Sequence, residues 1–476
     1  MLWNGLQKGL SKALYLLGTL VLGRLLTPRD FGLVAIAMVA VTTAMGATET
    51  GMTTAMVQAP EREPAHYDLA WTVNFIRGAI VCAALMIAAP LIARLFNESN
   101  SVPFIRLMAL VPLISSVASP RLADLIRELH FSRLAAIGLS AVIVELIIAV
   151  SLAGPIGGRA IILGKLAGVT TLTVSSYIVA PHTPAFRIRH SAGRHLIAFG
   201  RWIFAIAILG VASDLFLKAL ISTRLGVAPL GLFSLADKLA ETPNQLTNEA
   251  VGGVALPLYA RLRSDAPRLT AALRSHLIAL MCFLMPATAL LIALAGPLEV
   301  RILGPAWAGA SPMVVLLATG YLFELIFLAV APLLTAIGAV PRLFLVDVLQ
   351  YVVLIAAAIT LVGSLGLAAI GIARILASLV VVVAGVWVAP PIFAPIAGPL
   401  ARAGGVLILL SALSGAVARL LVAAIPGAAG VIVGAAAGAA VFLGASWLTD
   451  RPLRIGIREC LGAFFPILAP NPTRIP

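Results

Sequence analysis

The residues best placed to do chemistry are charges set inside long apolar runs. Lys8 and Lys12 stand one helical turn apart, and so do Asp214 and Lys218. Asp237 and Glu241 share a helix face in the same way, with Lys238 three residues before Glu241. Arg24, Arg77 and Arg224 add cations, and Glu49 adds a carboxylate. A charge at membrane depth costs about 3 kcal/mol or more, so such groups turn toward a wet cavity or a partner. A surplus of lysine and arginine there suits an anion such as a phosphate or pyrophosphate. Lys8, Lys12, Arg24, Arg77, Lys218, Arg224 and Lys238 are therefore the candidate anion-binding residues. Glu49, Asp214, Asp237 and Glu241 are the candidates to balance them or to carry protons or sodium. Plainer roles exist for the same side chains: an internal Asp214–Lys218 ion pair, snorkelling of Lys8 and Lys12, and interfacial anchoring by Arg24 and Arg224. Glu145 and Lys165 carry charge at similar depth. Glu324, Asp347 and Arg374 do too, and read first as partners of one another.

Composition says what holds these charges. Of 476 residues, 61% are hydrophobic and 11% charged, and mean hydropathy is +1.07. A soluble chain carries about 25% charged residues, so this is a polytopic, all-α membrane protein. Secreted domains, cytosolic enzymes and nucleic-acid binders are excluded. The net charge of +14 reflects topology and anionic lipid rather than nucleic acid. Cys82, Cys282 and Cys460 are too scattered for a metal site. Met1 to Leu10 opens a first membrane helix rather than a cleaved signal.

About fourteen runs reach the roughly 20 apolar residues a span needs, from 5–25 through 103–120 and 229–257 to 427–448. With the N-terminus cytoplasmic, roughly twenty lysines and arginines fall inside and about seven outside. Both termini are then cytoplasmic. The longest polar connection, 182–200, holds Arg187, Arg189, His190, Arg194 and His195 and reads as a cytoplasmic linker on anionic lipid.

The sequence repeats itself at an offset of about 200–209. Arg24-Leu25 and Gly32-Leu33 match Arg224-Leu225 and Gly231-Leu232. Pro90-Leu91 with Arg94 matches Pro297-Leu298 with Arg301, and the span opened by Pro103 matches the one opened by Pro312. Six spans per repeat is an even number, so the repeats are parallel. The expected organisation is a six-helix lobe at 1–181, the linker at 182–200, a second six-helix lobe at 201–390, and two additional helices with a cytoplasmic tail at 391–476. Gly430, Gly434 and Gly438 suit close helix packing in that last pair.

No His/Cys cluster at metal spacing, nucleophile elbow or phosphate-cradling loop is present, so a transporter is expected rather than an enzyme. No cofactor is expected, and without a nucleotide-binding domain a proton or sodium gradient is the candidate energy source.

The stretch Arg24-Leu25-Leu26-Thr27-Pro28-Arg29-Asp30-Phe31-Gly32 resembles the first-loop motif of the bacterial polysaccharide flippases. These are the O-antigen and exopolysaccharide translocases of the multidrug/oligosaccharidyl-lipid/polysaccharide exporter superfamily. Asp214 to Pro243, with Gly231 to Ala236, and Ala255 to Arg261 are similar to further parts of that family. The resemblance implies a V-shaped pair of lobes, alternating access in the bacterial inner membrane, and an undecaprenyl-pyrophosphate-linked oligosaccharide as substrate. It also implies, as partners, membrane lipids and a polysaccharide polymerase with chain-length machinery. Asp30 has no counterpart in the second repeat and reads as a helix cap. Two other functions remain in view. A drug or cation antiporter of the same superfamily would favour acidic over basic cavity residues. A membrane glycan polymerase would need a larger external loop than the roughly 20 residues found here.

Overall fold

The computed structural model describes residues 2–48, 64–128, 130–186, 197–252, 255–388 and 395–446. Among them run eighteen α-helices and no strand. The chain opens with α1 (Leu2–Leu25), α2 (Pro28–Ala47) and α3 (Pro64–Leu95), then the short α4 (Val102–Met108), α5 (Leu110–Ser116) and α6 (Leu122–Arg127). Next come α7 (Phe131–Ile156), α8 (Arg159–Val179), α9 (Ile197–Leu225), α10 (Val227–Val251), α11 (Ala255–Leu262) and α12 (Ala266–Pro297). The last six are α13 (Ala310–Phe323), α14 (Leu325–Ala336), α15 (Val340–Leu365), α16 (Ala368–Val388), α17 (Ala397–Ala424) and α18 (Gly427–Ser446).

Eleven stretches of the described residues are long and apolar enough to cross a membrane. The other three expected spans are helical but lie outside that set. They are α1, α10 and the 103–120 run. Asp237, Lys238, Glu241 and Glu249 make α10 too polar. The 103–120 run divides at Ala109 into α4 and α5. Pro112 offers no N–H there, and its ring crowds the Met108 carbonyl one turn back.

The chain divides into two compact units, Met1–Ser234 and Leu235–Pro476. The first unit takes in α9 and the opening turns of α10, because α9 lies against α2. Inside it, α7 packs along both α8 and α1, and α3 packs on α5. Inside the second, α15 packs along α16, α13 on α16, and α17 on α12 and α18.

The internal repeat is visible in the elements themselves. Helices α3 and α12 both have 32 residues. Helices α7 and α15 both have 26, and α8 and α16 both have 21. Each 26-residue helix ends at a glycine with positive φ, Gly157 at 61° and Gly366 at 56°. Side chains avoid that conformation, so glycine makes the sharp turn into the next span.

Local chemistry fixes the motif at the start of α2. Thr27 and Asp30 form a reciprocal capping box. Asp30 Oδ1 also accepts the Gly158 N–H at 2.9 Å, tying α2 to the α7–α8 turn. In the final pair, a Cβ on Gly434 would lie 2.7 Å from the Ala418 carbonyl oxygen, and one on Gly438 would lie 2.8 Å from that of Ser414. Ser414 Oγ donates to Gly438 O at 2.7 Å. These glycines serve close packing, as expected.

Of the 182–200 segment, residues 187–196 lie outside the described residues, as do all five of its named charged and histidine side chains. Its first residues are strapped to α3. Nε2 of His182 sits 3.2 Å from Asp68 Oδ1, and the Ala185 N–H donates to the same oxygen at 3.2 Å. Phe186 stands edge-on to Trp71 at 5.2 Å and to Phe75 at 5.7 Å.

Candidate functional site

The second unit holds a dense polar cluster among its membrane-spanning helices. Glu324 stands at the joint between α13 and α14, where the helix tightens and Phe327 N–H donates to Glu324 O at 2.9 Å. Nη2 of Arg374, on α16, lies 3.0 Å from Glu324 Oε1 and 3.2 Å from Oε2. Gln350 Nε2, on α15, donates to Oε1 at 3.0 Å, and Ser378 Oγ donates to the same oxygen at 3.4 Å. The guanidinium also rests 4.5 Å from the ring centre of Tyr321, a cation–π contact. Tyr321 OH donates to Asp237 Oδ1 at 2.9 Å, which brings α10 into the cluster. Asp347 lies one turn before Gln350 on α15 and is 4% exposed. Its Oδ2 is buried with no hydrogen-bond partner among the described residues. Among the described residues the cluster brings together carboxylates from α10, from the α13–α14 joint and from α15 with the guanidinium of Arg374.

The first unit holds a smaller counterpart. Tyr15 OH, on α1, donates to Glu145 Oε2, on α7, at 2.9 Å. Lys165 Nζ, on α8, lies 3.3 Å from the same oxygen and 5.8 Å from the Tyr15 ring centre. Gly164 lets α7 and α8 approach this closely, since a Cβ there would stand 2.5 Å from the Glu145 carbonyl oxygen. Here one acid balances one cation.

The residues singled out by spacing fall into several groups. Lys218 and Asp214 are joined at 2.8 Å, with side chains 17% and 43% exposed, so the internal ion pair is present. Arg77 is half-buried on α3, and its Nη1 donates to Thr48 O at 3.5 Å, beyond the end of α2. Lys12 is half-buried on α1. Arg24 and Arg224 are exposed in the last turns of α1 and α9. In the second unit, Asp237 meets Tyr321, Glu241 is half-buried one turn later, and Lys238 is exposed. Lys8 lies in α1 with its side chain outside the described residues, and Glu49 lies outside them altogether. The Glu324–Arg374 pairing was legible from charge alone. Tyr321, Gln350 and Tyr15 were not, because neutral polar residues give no hydropathy signal against an apolar span.

Residues 21–312 match the family described as "Polysaccharide biosynthesis protein". The chain belongs to that family. The match contains the Thr27–Gly32 motif and all of α10, and bears out the resemblance drawn from those residues. Among curated polysaccharide biosynthesis relatives, the succinoglycan biosynthesis transport protein ExoT of Rhizobium meliloti (strain 1021) is 27% identical over 322 residues, covering 66% of this chain and 64% of that protein. The lipopolysaccharide biosynthesis protein WzxC of Escherichia coli (strain K12) is 24% identical over 273 residues, 56% of this chain and 55% of that protein. The chain thus spans between about half and two thirds of these relatives' lengths. The fold is that of the lipid II flippase MurJ in its inward closed conformation, with TM-score 0.70, 14% identity, and 94% of this chain and 98% of that one covered. An inward-facing multidrug resistance MATE family transporter of the MOP superfamily follows at TM-score 0.65 and 14% identity, with 80% and 95% covered.

Proposed function

We propose that this polysaccharide biosynthesis family member is a flippase. It moves an undecaprenyl-pyrophosphate-linked oligosaccharide across the bacterial inner membrane by alternating access between two six-helix lobes. Both termini lie in the cytoplasm, and the glycan passes to a polymerase and its chain-length machinery. The observation that carries the reading is the set of cations set within long apolar helices of a polysaccharide-family chain: Arg77 on α3 and Lys218 on α9, with Lys12 on α1. Such groups suit a pyrophosphate held at membrane depth. The acid-rich cluster around Glu324 suits coupling, with Asp347 as the acid that exchanges a proton.

Depletion of the protein in its native cell tests this. Build-up of lipid-linked glycan with loss of surface polysaccharide is the expected result. Normal polysaccharide with raised sensitivity to cationic drugs would instead support a drug antiporter. The carboxylates gathered around Glu324 and Asp347 are the observation that favours that alternative. Export of single unpolymerised units would point to a polymerase.

A further inference from the structure

Arg106 is the fifth residue of α4 and the one charge in its Val102–Met108 sequence. Its side chain is exposed, and among the described residues it makes no ion pair and no hydrogen bond. The equivalent position of the second repeat carries no charge. Pro103 to Ala109 aligns with Pro312 to Ala318, and burial follows the same order along both. Phe104 and Ile105 are buried, as are Met313 and Val314, and Met108 and Ala109 are buried, as are Leu317 and Ala318. Where the first repeat has Arg106, the second has Val315. An apolar residue therefore satisfies the helix at this position, and the arginine answers to something that the first repeat alone contacts.

Topology does not call for the cation either. On the proposed orientation α4 starts at the outer face, whereas lysine and arginine are enriched on the inner side. A cation beside hydrocarbon is costly and is kept where it meets an anion or water. The surrounding walls favour an anion that carries an apolar tail. Met86 on α3, Val102, Pro103 and Leu107 on α4, and Leu110 at the start of α5 line, with Arg106, a cavity of about 360 Å³. Ile80, Ile87, Leu91 and Leu95 of α3 are exposed at spacings of seven and four, an apolar stripe beside Met86 that lipid covers. The cavity thus borders surface that faces hydrocarbon and sets one guanidinium over apolar walls. A phosphate matches the guanidinium fork, and an acyl chain matches the walls. The volume stands at the small end of the roughly 300–1,000 Å³ of ligand pockets, which suits a lipid headgroup and not an oligosaccharide.

We propose that Arg106 and its cavity bind an anionic phospholipid of the bilayer, through the lipid's phosphate. A zwitterionic lipid fits less well, because its own ammonium competes with the guanidinium for that phosphate. The lipid is a resident ligand of the first repeat and not the molecule carried, so the site does not depend on the flippase reading. Calling its leaflet the outer one does depend on the proposed orientation.

The test uses the full-length protein purified in detergent micelles, with phosphatidylglycerol or phosphatidylcholine titrated in and bound lipid counted by native mass spectrometry. Arg106→Val, which copies the second repeat, should weaken phosphatidylglycerol binding roughly tenfold and leave phosphatidylcholine unchanged. Arg94→Val, in the last turn of α3 and outside the cavity, should leave both within about twofold. Equal phosphatidylglycerol binding by the parent and Arg106→Val overturns the site. An equal loss in both variants overturns it too, since bulk surface charge would then hold the lipid. Should Arg106→Val lower the protein level, Met86→Cys in a chain with its native cysteines replaced decides. Phosphatidylglycerol should slow alkylation of that thiol roughly threefold relative to phosphatidylcholine, and equal rates overturn the proposal. Loss of export by Arg106→Val with phosphatidylglycerol binding intact would assign the guanidinium to the carried anion and overturn the phospholipid.

Discussion

The two membrane-depth ion clusters place their cations alike and their acids differently. Lys165 is the seventh residue of α8 and Arg374 the seventh of α16, two helices of equal length that each follow a positive-φ glycine. Lys165 takes its acid from the adjoining helix, through Glu145 on α7. Arg374 takes its acid from elsewhere, through Glu324 at the α13–α14 joint, and α15 supplies Gln350 and Asp347. The repeated hairpin thus kept a cation position, while the surrounding charge balance diverged. The first unit holds a matched pair that costs little to keep inside a membrane protein. The second adds Asp347, whose buried Oδ2 has no hydrogen-bond partner among the described residues and so suits exchange of a proton. Coupling chemistry is therefore expected in the second unit and a structural pair in the first.

The largest expected effect is loss of export. Arg77→Ala or Lys218→Ala should abolish it while the amount of protein in the membrane holds, as read by surface polysaccharide and immunoblot. Full activity of both would sink the anion-binding assignment. Next comes stability of the second cluster. Arg374→Ala should cost about 2–3 kcal/mol, below the roughly 3–5 for a fully buried pair, because the Arg374 and Glu324 side chains are 21% and 15% exposed. Thermal unfolding of the purified protein in detergent reads this. An equal loss from Lys165→Ala would break the contrast between the clusters, since that variant should cost only about 1 kcal/mol. Asp347→Asn sharpens the contrast differently. It should leave the melting temperature nearly unchanged yet remove the dependence of export on the proton gradient, and a retained dependence would move coupling elsewhere. The smallest effect is expected from Lys165→Arg, within about 0.5 kcal/mol of the parent. Arg374→Lys should lose about 1 kcal/mol, because a point charge cannot also lie flat on Tyr321.

Much of the fold was legible because hydrocarbon imposes simple rules. A charge-poor apolar run must be helical, and even-numbered repeats must insert the same way round. Thr27 and Asp30 announced a capped helix start by their spacing alone, and Gly434 and Gly438 announced close packing by theirs. Less legible was the break at Ala109, where Pro112 acts through the backbone inside an otherwise apolar run. The Asp30 hydrogen bond to Gly158 was out of reach of local pattern, since its partners are separated by 128 positions.

The sequence by itself determined the solvent, the helical class and the identity of the membrane-depth charges. Those follow from transfer costs and from backbone groups that must be satisfied within each helix. Only tertiary structure decided which charge meets which. Arg374 could have paired with Asp347, two turns from the start of α15, but the α13–α14 joint delivers Glu324 instead. Pairing depends on how helices rotate and cross, and packing sets that through contacts between residues far apart in the chain.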